Sequence, residues 1–155
     1  MSIGLWVRGA RPKTLVTSIA SVMVGAVMAY VHIERSGTCI AIYPEPASCA
    51  TAREQQTLLM DRFWPVTILC LLVALFLQIA VNYANDYSDG IRGTDAGRDT
   101  DESKSGKPQR LTASGLVPAK HVLFAAMICA AIACICGVVA VVLAQAWWLL
   151  AVGAA

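Results

Sequence analysis

Charge is what this sequence has least of. Asp, Glu, Lys and Arg make up 14% of its 155 residues, against about 25% in a typical soluble domain, and that shortage excludes an ordinary soluble globule. Histidine occurs twice, and the six cysteines do not group with it, so there is no His/Cys cluster of the kind that holds zinc. Aromatics are sparse at 7%. The basic residues stand beside apolar stretches and acids without interleaved aromatics, which argues against a nucleic-acid partner. The N-terminal region also lacks a compact leucine-rich core and a small-x-small cleavage site, so its apolar stretch is not expected to be removed as a signal peptide.

What the sequence has instead is hydrophobicity in blocks. Leu15–Val31 gives 17 residues without a charge, Phe63–Val81 gives 19 and Val122–Leu143 gives 22, and a further run of 10 occupies Ala146–Ala155. Spanning a bilayer takes about 20 apolar residues. The pattern predicts an all-α integral membrane protein with three full transmembrane helices, over about 14–31, 63–85 and 118–144, and the start of a fourth at 147–155. Between them lie an outer loop, 32–62, and a polar loop, 86–117. The last run carries no cap, charge or polar tail, so the chain is expected to be the N-terminal part of a longer membrane protein, or a truncated product.

Loop charges set the expected orientation. Nine basic residues flank one side (Arg8, Arg11, Lys13, Arg92, Arg98, Lys104, Lys107, Arg110 and Lys120) against three on the other (Arg35, Arg53 and Arg62). The N-terminus and the 86–117 loop are therefore expected to be cytoplasmic, in a multi-pass protein of the cell membrane. Cys70, Cys129, Cys134 and Cys136 lie in spans and read as small packing residues. Cys39 and Cys49 lie in the outer loop, where an oxidising compartment would permit a disulfide. In the first span, Ser18, Ser21, Gly25 and Ala29 recur at helical spacing, a seam suited to close helix packing.

The stretch Asn82-Tyr83-Ala84-Asn85-Asp86-Tyr87-Ser88-Asp89 follows the second apolar run directly. Asn82, Asn85, Asp86 and Asp89 are spaced i, i+3, i+4, i+7 and share one face of a continuing helix. Ionisable groups at membrane depth are expensive and point to function. Carboxylates with carboxamides offer hard oxygen donors. Such a set suits Mg2+, which binds one or two carboxylates together with substrate phosphates. Lys104, Lys107 and Arg110 supply cations for the remaining phosphate oxygens. Arg11 and Lys13, besides setting topology, are placed to face the same pocket and bind substrate, and Asn82 is placed to orient the others or bind substrate. A metal with cations on a diphosphate stabilises a leaving pyrophosphate, and an apolar bundle above would house a lipid tail. The substrate class that fits is a lipid diphosphate.

Asn85-Asp86-Tyr87-Ser88-Asp89 followed by Gly93-Thr94-Asp95 resembles the first aspartate-rich motif of the UbiA-type intramembrane aromatic prenyltransferases. That family's common pattern is Asn-x3-Asp-x3-Asp. Asn85 and Asp89 fit it, and the third member, Asp95, falls two residues late. The longer form looks like the menaquinone branch, which prenylates 1,4-dihydroxy-2-naphthoate. Arg11-Pro12-Lys13-Thr14 before the first span, and Arg110 with Ser114-Gly115 before the third, agree with it.

The resemblance implies a bundle of about nine helices, with this chain as its N-terminal portion. It implies Asn85, Asp86, Asp89 and Asp95 around Mg2+, with the three aspartates catalytic. It implies a second aspartate-rich motif elsewhere, so that these residues alone would be inactive. The implied partners are a polyprenyl diphosphate, an aromatic acceptor that loses its carboxylate as CO2, and the bilayer. Three other readings carry weight. A 4-hydroxybenzoate acceptor would keep the chemistry and change the ring. A CDP-alcohol phosphotransferase would need Ala-Arg soon after Asp89-Gly90, where Gly93-Thr94 stands. A cation transporter would need acids along a path through the bundle, whereas these cluster at one end.

Overall fold

A computed structural model of the chain describes residues 3–37, 46–92, 111–112 and 117–154. Cys39, Asp95, Lys104, Lys107, Arg110, Ser114 and Gly115 lie outside the described residues. The order is α1 (Ile3–Gly9), α2 (Pro12–Ser36), α3 (Pro46–Arg92), α4 (Ala119–Ala144) and α5 (Trp148–Ala154), with no strand among the described residues. Helices α2, α3 and α4 are long and apolar enough to cross a membrane, which makes this a multi-pass membrane protein.

The helices extend further than hydropathy alone suggests. The segment expected as an outer loop, 32–62, is mostly helical: α2 runs on to Ser36 and α3 begins at Pro46. The reason is local. Residues 49–64 contain no Gly or Pro and include Arg53, Glu54, Gln55, Gln56, Leu58, Leu59 and Met60, all good helix formers. Apolarity marks where lipid begins, not where a helix begins. Pro65 lies inside α3 and takes away the hydrogen bond that the Asp61 carbonyl would receive. Asp61 and Pro65 are both exposed there. At 47 residues, α3 is about 70 Å long, so it overshoots a hydrocarbon layer of about 30 Å. At that far end Gln56 Nε2 donates to the Glu34 carbonyl at 3.1 Å, and Tyr30 meets Phe63 edge-on at 5.6 Å. Cys49 is disulfide-bonded, while Cys70, Cys129, Cys134 and Cys136 are free thiols.

Helix α3 is the centre of the unit, with α2 and α4 packed on it. No residue of α2 is buried, and large apolar side chains such as Val24, Met28, Phe124 and Ile135 are open on the outer faces. In a membrane those faces meet lipid or other helices. Helix α4 ends in a closing turn: Gln145 takes φ 56°, its N–H donates to the Val142 carbonyl at 3.3 Å, and Ala146 N–H donates to Val141 at 3.2 Å. These bonds satisfy carbonyls that the helix end would leave orphaned. A cavity of 440 Å³ lies between α2 and α3 in the far half, lined by Gly25, Ala26, Ala29, Phe63 and Cys70 among others. Along α3, Cys70 is about 24 Å from Asp86, so this cavity is not the polar site.

The buried core is at the opposite end. Ala10, Tyr83, Leu111, Val117, Val122 and Ala126 form one cluster, with Leu5, Trp6, Ile79, Tyr87, Ala125 and Cys129 packed against it. Trp6 meets Tyr83 edge-on at 5.6 Å, and the Tyr83 hydroxyl donates to the Trp6 carbonyl at 3.0 Å. Leu111 is wholly buried, which stabilises by about 1.5–3 kcal/mol. Its side chain lies so close to Gly9 that a Cβ there would stand 2.8 Å from Leu111 Cγ and 3.3 Å from Tyr83 Cε1. Gly9 is the opening into which Leu111 fits.

Candidate active site

The polar stripe sits at the end of α3 beside this core, and it begins with a broken helix. Pro12 has no N–H, so α1 cannot continue into α2. Arg11 turns the chain between them at φ 51°, ψ 71°, a left-handed conformation costly for any residue but glycine and poorly suited to one preceding proline. Arg11 N–H closes α1 on the Arg8 carbonyl at 3.1 Å, while Thr14 N–H opens α2 on the Arg11 carbonyl at 2.9 Å. Thr14 N–H would serve the Ala10 carbonyl in an unbroken helix, so that carbonyl needs another donor.

Asn82 supplies it. Its Nδ2 donates to the Ala10 carbonyl at 2.8 Å and to Thr14 Oγ1 at 3.0 Å, and Thr14 Oγ1 donates onward to the Arg11 carbonyl at 2.9 Å. Gln78 Nε2 donates to Asn82 Oδ1 at 3.4 Å. Asn82 is 3% exposed, and a buried amide of this kind is expected to be hydrogen-bonded. Its bonds tie the α1–α2 junction to α3.

One turn on, Asp86 is also 3% exposed, and its Oδ2 accepts the Leu111 N–H at 2.7 Å. Thr112 lies over Gly90, where a Cβ would come within 2.5 Å of Thr112 Cβ. Asn85 is exposed and Asp89 half-buried. The stripe is therefore divided by burial: Asn82 and Asp86 are buried, and Asn85 and Asp89 keep accessible surface. Arg11 and Lys13 belong to the same end of the molecule, Arg11 half-buried and Lys13 exposed.

The donor set can be tested against the cation that the sequence suggests. Among the described residues, no group of three or more His, Cys, Asp and Glu side chains could hold a metal ion. The Asp89 carboxylate and the Asn85 carboxamide are nevertheless hard oxygen donors one turn apart. An ion that keeps several waters and takes other oxygens from a bound diphosphate needs few protein ligands. To that extent the residues fit Mg2+.

Sequence reasoning missed the residues that build the site. Thr14, the Ala10 carbonyl and Leu111 carry no chemistry of their own. A signal for the first two was present: Pro12 after Arg11 announces a helix break, and a break creates an orphan carbonyl that some donor must reach. Nothing in the sequence marks Leu111 as the partner of Asp86, because their bond spans 25 residues.

Comparison with known proteins supplies what geometry leaves open. The UbiA prenyltransferase family matches residues 57–155. Over 153 residues the chain is 39% identical to 1,4-dihydroxy-2-naphthoate octaprenyltransferase of Mycobacterium tuberculosis, covering 99% of this chain and 40% of that protein. It is 35% identical over 153 residues to the protein of the same name from Mycobacterium leprae, with the same coverage. The Haemophilus influenzae protein of that name is 30% identical over 117 residues, covering 76% of this chain and 28% of its own length. The chain thus spans about 40% of the mycobacterial relatives' length. No solved structure matches. The family match takes in most of α3 with its divided polar end, Leu111 and Thr112, and α4, and this chain belongs to the UbiA prenyltransferase family.

Proposed function

We propose that the full-length protein transfers a polyprenyl group from a polyprenyl diphosphate to 1,4-dihydroxy-2-naphthoate, with loss of its carboxylate as CO2, giving demethylmenaquinol. The observation that carries this reading is the accessible part of the stripe, the exposed Asn85 and half-buried Asp89 at the end of a helix long and apolar enough to span a membrane, together with the names of the relatives. Asn85, Asp86 and Asp89, joined by Asp95, would hold Mg2+ together with the diphosphate oxygens. That cation, when bound, neutralises charge building on the departing pyrophosphate. Lys104, Lys107 and Arg110 take the other phosphate oxygens. As the carbon–oxygen bond breaks, its electron pair leaves with pyrophosphate, and the apolar helices keep water from the allylic cation until the ring attacks.

In this reading the protein is a bundle of about nine helices in the cell membrane. Its N-terminus and the 86–117 loop are cytoplasmic, and a second aspartate-rich motif faces the first. Arg11 and Lys13 approach the bound substrate from the α1–α2 junction. The strain at Arg11 then has a use, since the left-handed turn sets where the guanidinium starts. Arg11→Gly is expected to stabilise the fold by about 1 kcal/mol while raising KM for the prenyl diphosphate. Thermal unfolding and steady-state kinetics on one preparation read both signs.

The test is turnover by full-length protein in nanodiscs supplied with polyprenyl diphosphate, Mg2+ and dihydroxynaphthoate. Prenylated naphthoquinol and pyrophosphate are the expected products. Turnover with 4-hydroxybenzoate alone would reassign the acceptor. No pyrophosphate release with either acceptor would overturn the reading.

A further inference from the structure

Arg11 is poorly suited to the place it occupies. It is the N-cap of α2 yet makes no side-chain cap bond, where Ser, Thr, Asp or Asn would supply one. It holds φ 51°, which glycine adopts without strain. With Lys13 it sets two cations at the positive end of a 25-residue helix whose first turn has no acid. None of these features serves the turn. Residues held in sparsely populated backbone regions cluster at functional sites, so the side chain is the reason for the residue, and the turn must be held for it.

Both rotations that aim the Arg11 side chain are held through the flanking peptides. Rotation φ turns against the Ala10–Arg11 peptide, whose carbonyl accepts from Asn82 Nδ2 at 2.8 Å. Rotation ψ turns the Arg11–Pro12 peptide, which has no N–H, so its carbonyl is the one group by which it can be held. Thr14 holds that carbonyl twice, with its N–H at 2.9 Å and its Oγ1 at 2.9 Å. Thr14 Oγ1 also accepts from Asn82 Nδ2 at 3.0 Å, which leaves its single proton for the Arg11 carbonyl. The hydroxyl thus joins the two holds into one. Ser18, Ser21 and Ser36 also donate to carbonyls three or four residues back. Those bonds stay within α2, whereas Thr14 links α3 to Arg11.

We propose that Thr14 is a positioning residue: its hydroxyl passes the hold of Asn82 on α3 to the Arg11 carbonyl, and so fixes the direction in which the Arg11 side chain leaves the backbone to meet a diphosphate-bearing substrate. The kinetic consequence rests on the prenyl-transfer reading, whereas the effect on diphosphate binding does not need turnover. Thr14→Val keeps the β-branched shape and removes the hydroxyl. Thr14→Ser keeps the hydroxyl. Thr14→Ala is a second hydroxyl-free variant should valine not fit the junction, with the same expectation.

The experiment is a double-mutant cycle on full-length protein in nanodiscs with Mg2+, reading kcat, KM for a polyprenyl diphosphate and equilibrium binding of the same diphosphate. Thr14→Val is expected to raise KM and Kd about fivefold, while kcat at saturation falls by less than about twofold. Thr14→Ser should bring both constants back to within about twofold of wild type. In an Arg11→Ala background, Thr14→Val should add less than about twofold, because a residue that acts through Arg11 has nothing left to aim. A merely structural role would weaken binding by the same factor in both backgrounds, and that result overturns the proposal. So does a hydroxyl-free variant with wild-type KM and Kd. A wild type that binds the diphosphate but releases no pyrophosphate overturns the prenyl-transfer reading alone, and the binding cycle still decides the role of Thr14. A wild type that binds no diphosphate overturns both.

Discussion

Asp89→Ala in the full-length protein is expected to lower kcat for prenyl transfer by about 10²–10³-fold or more while leaving membrane insertion intact. Asp89 is half-buried, one turn beyond the exposed Asn85. Its place near the end of a helix anchored by Asn82 and Asp86 gives it a rigid base. A diphosphate leaving group needs charge neutralised where it develops, and removing a carboxylate that holds the neutralising cation removes that stabilisation from the transition state. Asp89→Asn keeps the shape without the charge and should fall nearly as far. Product formation in nanodiscs, alongside insertion measured by membrane fractionation, reads the effect. Activity retained in Asp89→Ala would take Asp89 out of the mechanism.

The second large effect is on stability. Asn82→Ala removes the donor that caps the Ala10 carbonyl and reaches Thr14. A buried carbonyl left without a partner costs about 1–3 kcal/mol, and the contact it loses is what holds α1 and the strained Arg11 turn on α3. The expected loss is about 2–3 kcal/mol, read as a lowered unfolding midpoint in detergent with the amides of α1 exchanging faster. Asn82→Asp is the sharper control. It is nearly isosteric, but it sets an acceptor against the Ala10 carbonyl, so it should be no better than alanine. Should both variants unfold within 0.5 kcal/mol of wild type, roughly the range of neutral surface changes, the junction would owe its geometry to α1 and α2 alone.

Much of this molecule is legible along its own sequence. The apolar runs around Leu15–Val31, Phe63–Val81 and Val122–Leu143 all fall inside membrane-length helices, because a spanning segment must satisfy its backbone internally. The spacing of Asn82, Asn85, Asp86 and Asp89 placed them on one helical face, and α3 carries all four. Helical spacing gives angles about a helix's own axis and nothing about which neighbour covers which angle. The separation of Asp86 from Asp89 depends on Leu111, and the burial of Asn82 depends on a carbonyl freed by Pro12. Both are long-range facts. The far extension of α3 was hidden for a different reason: Arg53, Glu54, Gln55 and Gln56 carry no membrane signal, although they favour helix as strongly as the apolar residues that follow.

The Asn82 cap also has a place in time. Ala10 and Asn82 are 72 residues apart, and chains are synthesised N-terminus first at about 5–20 residues per second. The α1–α2 corner therefore exists for roughly 4–14 seconds before its capping residue has been made. During that interval the bent N-terminus is held by local bonds, Ala10 to Trp6, Arg11 to Arg8 and Thr14 to Arg11. Docking of α1 must wait for α3 to be made, so the Asn82 cap sets only after both helices of the corner already exist.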